Sequence, residues 1–415
     1  MQTNLADWIK DTPQGIEADE ILRKCVHCGF CLATCPTYNL LGDELDSPRG
    51  RIYLMKEMLE GAPVTAKTQL HLDRCLTCRS CESTCPSGVH YGRLVDIGRE
   101  LVEVKVGRSI GERIKRGALK TLLPQTALFS AGLTIGRAMK AFLPAALAKK
   151  IPAQRDAGVR PALRHARNML VLEGCVQPAM APSINAATAR VLDKLGISLI
   201  SVPSAGCCGA VSHHLNDMKQ SHAFFKRNID AWWPYIEAGT EAIVVTASGC
   251  GTMVEEYGHI LRNDADYAAK AARVSELFRD VSQVIVAERT TLSTLLAATK
   301  PAAKKVAFQS PCSLQHGLKI KGVVEGLLRD AGFTLTFVPD GHLCCGSAGT
   351  YSILQSELSQ QLLTNKVKSL ESGAPEMVAT ANIGCLAHIE GGLNESSKIP
   401  IRHWIELIDE RLSSS

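Results

Sequence analysis

Followed through its apolar positions, the chain changes character near residue 167. Before that point the spacing is helical. The stretch SPRGRIYLMKEMLEG (47–61) puts Ile52, Met55 and Leu59 on one face, with Ser47 as N-cap, Pro48 in the first turn and Gly61 at the end. No strand pattern interrupts this region. Farther on, short β-branched apolar runs alternate with helical segments. MLVLEGC (169–175), SLISVPSAGCC (198–208) and AIVVTASGC (242–250) are followed by KVAFQSPC (305–312), LTFVPDGHLCC (335–345) and MVATANIGC (377–385). Helices fit the gaps, among them SINAATARVLDKLG, capped by Ser183 and closed by Gly196. Such alternation predicts parallel sheets covered by helices. The expected fold is multidomain: an all-α domain over 1–106, a basic helical linker over 107–166, and two tandem α/β (parallel-sheet) repeats over 167–300 and 301–415. The second repeat closes with a C-terminal helix.

Eight cysteines mark the repeat. Cys175, Cys207, Cys208 and Cys250 correspond to Cys312, Cys344, Cys345 and Cys385, at offsets of 137, 137, 137 and 135 residues. Each ends an apolar run, and ligands of parallel sheets gather beyond the carboxyl ends of the strands. Four thiols can therefore converge in each repeat. Gly346, directly after the second pair, permits close approach, and a following helix N-terminus favours thiolate. The sites suit a third iron–sulfur cluster, zinc, or a thiol redox couple. A relaxed disulfide between neighbouring cysteines is disfavoured by geometry.

Composition describes a globular chain of 415 residues, 46% hydrophobic and 21% charged. Sixteen cysteines are many for such a protein. The start, MQTNLADWIKDTPQGIE, has neither the apolar core nor the cleavage site of a secretion signal. A cytoplasmic location is expected, where thiols stay reduced and clustered cysteines point to metal or redox chemistry. The longest strongly apolar uncharged stretch, TLLPQTALFSAGLTIG (121–136), falls short of the roughly 20 apolar residues of a spanning helix. No transmembrane helix is expected.

The net charge of +5 conceals an asymmetry. Between Gly107 and Arg167 thirteen Lys and Arg face two acids, Glu112 and Asp156, so this stretch carries +11 and the remainder −6. One reading is a linker whose helices carry solvated basic faces. The other is an amphipathic surface for anionic lipid or an acidic partner, which would hold the chain peripherally on the inner face of the cell membrane. No nucleic-acid-binding motif accompanies the charge.

The first eight cysteines form two copies of one pattern. CVHCGFCLATCP holds Cys25, Cys28, Cys31 and Cys35, and CLTCRSCESTCP holds Cys75, Cys78, Cys81 and Cys85. Both obey C-x2-C-x2-C-x3-C-P, the run found in bacterial ferredoxins with two clusters, where the fourth cysteine ligates the cluster of the other motif. Cys25, Cys28, Cys31 and Cys85 are thus assigned to one [4Fe–4S] cluster, and Cys75, Cys78, Cys81 and Cys35 to the other. Zinc would prefer two C-x2-C pairs around one ion. His27 is expected beside the ligands or exposed, and Arg49 and Arg51 to face solvent.

The text KCVHCGFCLATCPTYNLLGDELDSPRGRIYL, HLDRCLTCRSCESTCPSGV, NAATARVLDKLGIS, AGCCGAV, HLCCGSAGTY, TANIGC and RHWIEL resembles a known arrangement across essentially the whole chain. The repeats are similar to the cysteine-rich "CCG" domains found in tandem in heterodisulfide reductase and related redox subunits. Preceded by a two-cluster ferredoxin domain, they resemble the iron–sulfur subunits of flavoprotein dehydrogenases, above all the iron–sulfur subunits of bacterial glycolate oxidase. One departure matters. The broader family often closes its repeat with C-x-x-C, and the earlier cysteine is Ala247 in one copy here and Asn382 in the other. That argues against the double cluster associated with heterodisulfide reductase.

No G-x-G-x-x-G lies at a strand–helix junction, so neither FAD nor NAD is expected on this chain. No Ser-His-Asp or paired-carboxylate site is evident. A chain with one-electron carriers and no hydride acceptor reads as a relay, inactive alone, whose substrate chemistry sits on a partner. The resemblance implies two flavoprotein-type subunits that oxidise glycolate to glyoxylate, and electrons leaving to a membrane quinone or other respiratory acceptor. Alternatives are the same role in lactate or glycerol-3-phosphate oxidation, a thiol–disulfide reductase, or a zinc-bearing scaffold. His213, His214 and His316 are candidate ligands or proton carriers near the CCG cysteines. Asn228 and Asn365 share a repeat position, and Trp232 and Trp233 suit core or interface better than a cofactor.

Overall fold

The computed structural model describes residues 1–142 and 152–413. Among them, everything before residue 167 is helix or loop. The helix Pro48–Leu59 starts as its sequence demands: the Ser47 hydroxyl accepts from the Gly50 amide at 3.0 Å, with proline next. A Cβ on Gly50 would lie 2.0 Å from the Glu44 carbonyl oxygen, so the preceding turn can press on the helix only at a glycine. Ile52, Met55 and Leu59 enter one core with Ile21 and Leu22 of helix Pro13–Lys24 and Leu94 and Val95 of helix Tyr91–Val106. The linker begins with two helices, Ile110–Leu122 and Thr126–Ala138. The expected basic stretch includes 143–151, which lie outside the described residues.

Two parallel sheets follow. β1 (Arg167–Val171), β2 (Ile197–Ser201), β3 (Ile243–Val245) and β4 (Phe278–Asp280) are ordered β2-β1-β3-β4. β5 (Lys305–Gln309), β6 (Thr334–Leu335), β7 (Met377–Thr380) and β8 (Ile401–His403) repeat that order as β6-β5-β7-β8. The six runs read from the sequence contain β3, β5 and β7 and overlap β1, β2 and β6, the last by Leu335 alone. β4 and β8 escaped notice because each has three residues with a charged one at its centre, too short for a period to show. Ser183 is the first residue of its helix rather than the cap, a place taken by Pro182.

The two repeats share one continuous hydrophobic core. The C-terminal helix Trp404–Ser413 packs on helix Ser183–Lys194 of the first repeat, where Arg190 pairs with Asp409 at 2.7 Å. The His403 ring nitrogen Nε2 meets the Thr246 carbonyl at 3.0 Å, in full burial. Burial lowers the pKa of this imidazole to about 4, so it crosses the interface neutral.

Candidate metal centres

The two ferredoxin-like loops wind alike. His27 and Gly29 in the first, and Thr77 and Arg79 in the second, have φ of 56°, 85°, 51° and 59°. Three of the four are not glycine, and left-handed backbone is uncommon for such residues unless the surroundings impose it. Two left-handed residues between three cysteines coil each loop around a point. Each run then closes with a proline-started turn, and Pro36 opens the helix Pro36–Leu41.

Two cavities lie at the centres of these coils. The first, about 450 Å³, is lined by Cys25, Cys28, Cys31 and Cys85, with Cys81 also on its wall. The second, about 300 Å³, is lined by Cys35, Cys75, Cys78 and Cys81. Cysteines from both motifs therefore meet at each cavity. The donor set fits iron–sulfur clusters, with at least four thiols on each wall and apolar side chains such as Val26, Phe30, Ile52 and Leu76 among the rest. Burial pushes the Cys78 and Cys81 thiols well above their ordinary range, so a metal would be needed to hold them as thiolates.

Three side chains around the cavities had no signal in the sequence or were misread. Tyr91 is buried, lines both cavities, and donates from its hydroxyl to Cys75 Sγ at 3.6 Å. Arg51 was expected to face solvent, but it is 1% exposed and lines the second cavity. Its guanidinium donates to the His71 carbonyl at 2.7 Å, to the Thr37 hydroxyl at 3.1 Å and to Asp46 at 3.2 Å. Asp46, also bonded to Arg74 and His71, makes burial of the arginine tolerable. Arg49 is half-buried, pairs with Glu44 at 2.7 Å and lines the first cavity. His27 lines it too, with Nε2 buried and unpartnered.

In the repeats, each set of four cysteines converges. In the first repeat the thiols of Cys175, Cys207, Cys208 and Cys250 shift one another's titration in that order. The same order runs through Cys312, Cys344, Cys345 and Cys385, with 3.8 Å between the first two sulfurs. Cys250 and Cys385 stand in the first turns of helices Ser248–Glu255 and Ile383–Ser396. In each pair the amide two residues on donates to the first sulfur at 3.4 Å, through Gly209 and Gly346, both left-handed. Hydrogen bonds from Cys175 and Cys208 bring the Cys207 thiol down to about 4. The four thiols of the second repeat are all displaced upward.

Asn382, one of the positions where the broader family carries a cysteine, turns away from the thiols. Its Oδ1 accepts from the Gly384 amide at 2.8 Å, and its Nδ2 donates to Ser313 within its own repeat and to Ser248 across the contact between repeats. The histidines are joints as well. His213 meets Asp96 at 3.3 Å, His214 is packed beside it, and His316 bonds to Ser83 at 2.9 Å and to the His342 carbonyl at 2.9 Å. Trp232 is wholly buried in the core, while Trp233 packs at its edge and donates to Glu237. Asn228 is buried and holds the first cysteine pair: it accepts from the Gly206 amide at 2.9 Å and donates to the Cys207 carbonyl at 2.9 Å. Asn365 is exposed, so the proposed equivalence fails; the helices carrying the two asparagines are out of step by one residue.

Known proteins show the same layout. Residues 21–89 match the family described as "4Fe-4S dicluster domain", and residues 169–255 and 306–390 each match "Cysteine-rich domain". The sequence is 55% identical, over 99% of both chains, to the "Glycolate oxidase iron-sulfur subunit" of Escherichia coli (strain K12). It is 30% identical, over 94% of both, to the "Probable glycolate oxidase iron-sulfur subunit" of Bacillus subtilis (strain 168). The "Lactate utilization protein A" of Anoxybacillus flavithermus is 25% identical over 59% of this chain.

Proposed function

Since the chain belongs to the glycolate oxidase iron–sulfur subunits, we propose that it is the electron-transfer subunit of a complex oxidising glycolate to glyoxylate. Cys25, Cys28, Cys31 and Cys85 hold one [4Fe–4S] cluster; Cys35, Cys75, Cys78 and Cys81 hold the other. The observation that carries this reading is the grouping of cysteines from both motifs around each of two adjacent cavities. Clusters bound there supply one-electron carriers between a two-electron flavin and an acceptor. Cys81 and Tyr91, on the walls of both cavities, keep the two centres adjacent while excluding water between them.

The eight CCG cysteines hold thiolate-bound metal, and a further iron–sulfur cluster suits a relay better than zinc. Two flavoprotein-type subunits provide substrate chemistry, and a membrane quinone takes the electrons. Among the described residues no helix is long and apolar enough to cross a membrane. The helix Thr126–Ala138 has no buried side chain, and Ile110, Ile114, Leu128, Ile135 and Phe142 are exposed beside Arg113 and Lys115. We read this face as resting on anionic lipid, with its apolar residues in the headgroup layer.

The test uses protein purified without air. Iron, zinc and acid-labile sulfide are measured per chain, and glycolate-dependent dye reduction is measured with and without the flavin subunits. Sulfide with iron for at least two clusters is expected, with no oxidation by this chain alone and restoration on assembly. Glycolate oxidation by the isolated chain would overturn the proposal.

A further inference from the structure

The two four-cysteine sites look equivalent in sequence, yet they differ in what they touch. Cys312 lies near Cys78, a cysteine on the wall of the second ferredoxin-like cavity. Cys344, Tyr351, Leu358 and Leu362 form one apolar cluster with Leu76, and Cys78 and Cys312 pack against it. The Tyr351 hydroxyl donates to the Arg74 carbonyl at 3.2 Å, one residue before Cys75. His316 and Ser83 complete the seam at 2.9 Å. The first site has no such neighbour. Cys175 and Cys207 cluster with Phe224 and Val176, and no ferredoxin-domain cysteine joins them among the described residues.

They also differ in charge. Helices Met218–Glu237 and Ser356–Glu371 lie over the two cysteine pairs, and apart from the additional Leu358 their buried positions match: Ser221, Phe224, Phe225, Asn228, Ile229 and Trp232 against Ser359, Leu362, Leu363, Lys366, Val367 and Leu370. The buried amide of the first repeat is therefore replaced by an ammonium in the second. Lys366 is 3% exposed. Its Nζ donates to the Asp340 carbonyl at 3.0 Å, and no carboxylate lies within 4.0 Å of it among the described residues. Burial lowers the pKa of this lysine, and Cys345, Cys344, Cys312 and Cys385 act against that, favouring its charged form. A buried ammonium with no carboxylate is costly unless another anion answers it. Near the first site the corresponding cation is Arg227, which is exposed.

We propose that the second site alone exchanges electrons directly with the ferredoxin domain, through Cys78 beside Cys312, and that Lys366 is the built-in counter-charge of its four thiolates. This rests on the relay reading but not on the identity of the substrate. The exchange moves one electron from the reduced centre at Cys35, Cys75, Cys78 and Cys81 to an oxidised iron–sulfur centre on Cys312, Cys344, Cys345 and Cys385. No bond is made or broken and no proton moves. The site gains one negative charge, which the nearby ammonium stabilises, so Lys366 makes this centre easier to reduce. Asn228 gives the first site no such help.

The experiment is a redox titration of the full chain, purified without air and poised with dithionite and mediators, followed by electron paramagnetic resonance. It needs no glycolate and no flavin subunit, so a wrong substrate assignment would leave its result intact. In the unaltered chain, a centre spin-coupled to a ferredoxin-domain cluster is expected. The coupling should vanish in Cys345→Ser and persist in Cys208→Ser. Lys366→Met should shift the midpoint of that same centre to lower potential, and Lys366→Arg should restore it. Coupling that survives Cys345→Ser, or is lost equally in Cys208→Ser, overturns the wiring. A midpoint unmoved in Lys366→Met overturns the role of the lysine, and iron content unaffected by Cys345→Ser overturns both. The cysteine variants test the wiring even if Lys366→Met does not fold.

Discussion

Gly209 and Gly346 have φ of +85° and +90°, and a Cβ on Gly346 would lie 2.6 Å from the Ser359 carbonyl oxygen. The turn after each cysteine pair thus needs both the left-handed backbone and the missing side chain. Gly346→Ala should cost at least about 2 kcal/mol, from the left-handed penalty plus the clash. A lower denaturant midpoint for the second repeat is the expected reading; an unchanged midpoint would contradict it. His403 answers to pH. Its folded pKa of about 4 lies below the ordinary 6.5 because burial disfavours the charged ring. Between those values the unfolded chain binds a proton that the folded chain does not, so the full stability present above pH 6.5 is progressively lost toward pH 4. The loss at the acid end is about 3 kcal/mol. His403→Gln, which can still donate to Thr246, should flatten the dependence of melting temperature on pH across this window. At this scale the cysteines were legible because their spacing is local chemistry. Arg51, Tyr91 and Lys366 were not, since each acts only through residues brought near by folding.

Elements add what single residues lack. The two C-x2-C-x2-C loops share their pair of left-handed positions, and so their coil, although one uses His27 and Gly29 and the other Thr77 and Arg79. Composition does not betray that likeness, but the identical cysteine spacing accompanies it. The helix register over the CCG pairs went the other way. Counting from the cysteines aligned Asn228 with Asn365, while the buried faces align Asn228 with Lys366. A one-residue difference between turn and helix is about 100° of rotation, enough to exchange an inward position for an outward one. The helices Ile110–Leu122 and Thr126–Ala138 carry a prediction of their own. Vesicles containing anionic lipid should bind the chain and neutral vesicles should bind it less. Replacing Arg113 and Lys115 by Gln should weaken anionic binding by about 1 kcal/mol per charge, roughly fivefold each. Equal binding to both vesicle types in co-sedimentation would contradict the lipid reading.

Across the whole molecule, the ferredoxin domain is held on the first repeat by charge and on the second by apolar packing around Cys78. Glu256 receives Arg79 and Arg93, both at 3.1 Å. Glu17 receives His259 and Arg262, and Asp96 receives His213. Burial would raise the Asp96 carboxyl, but the hydrogen bond and charge of His213 outweigh it and hold the pKa at about 2. Glu256→Gln leaves two partly buried arginines without their anion, and should loosen this seam by about 2 kcal/mol. Calorimetry should then show the ferredoxin domain melting earlier than the repeats, with iron content intact at low temperature. A single unshifted transition would count against the role given to Glu256.

Spacing and periodicity were enough for the fold class, the internal repeat and the approximate place of six of the eight strands. These depend on neighbours in the chain, where geometry is set by a few bonds. Folding alone decided that both cavities share Tyr91, that β4 and β8 complete the sheets, and that the C-terminal helix covers the first repeat. It also decided that Cys312 and not Cys175 packs on the same apolar cluster as Cys78, and that Lys366 lies buried. Each of these is a contact between segments far apart in sequence, set by how whole elements turn and pack. No local pattern encodes such a rotation, because it minimises exposed apolar surface and unpaired charge over the entire molecule.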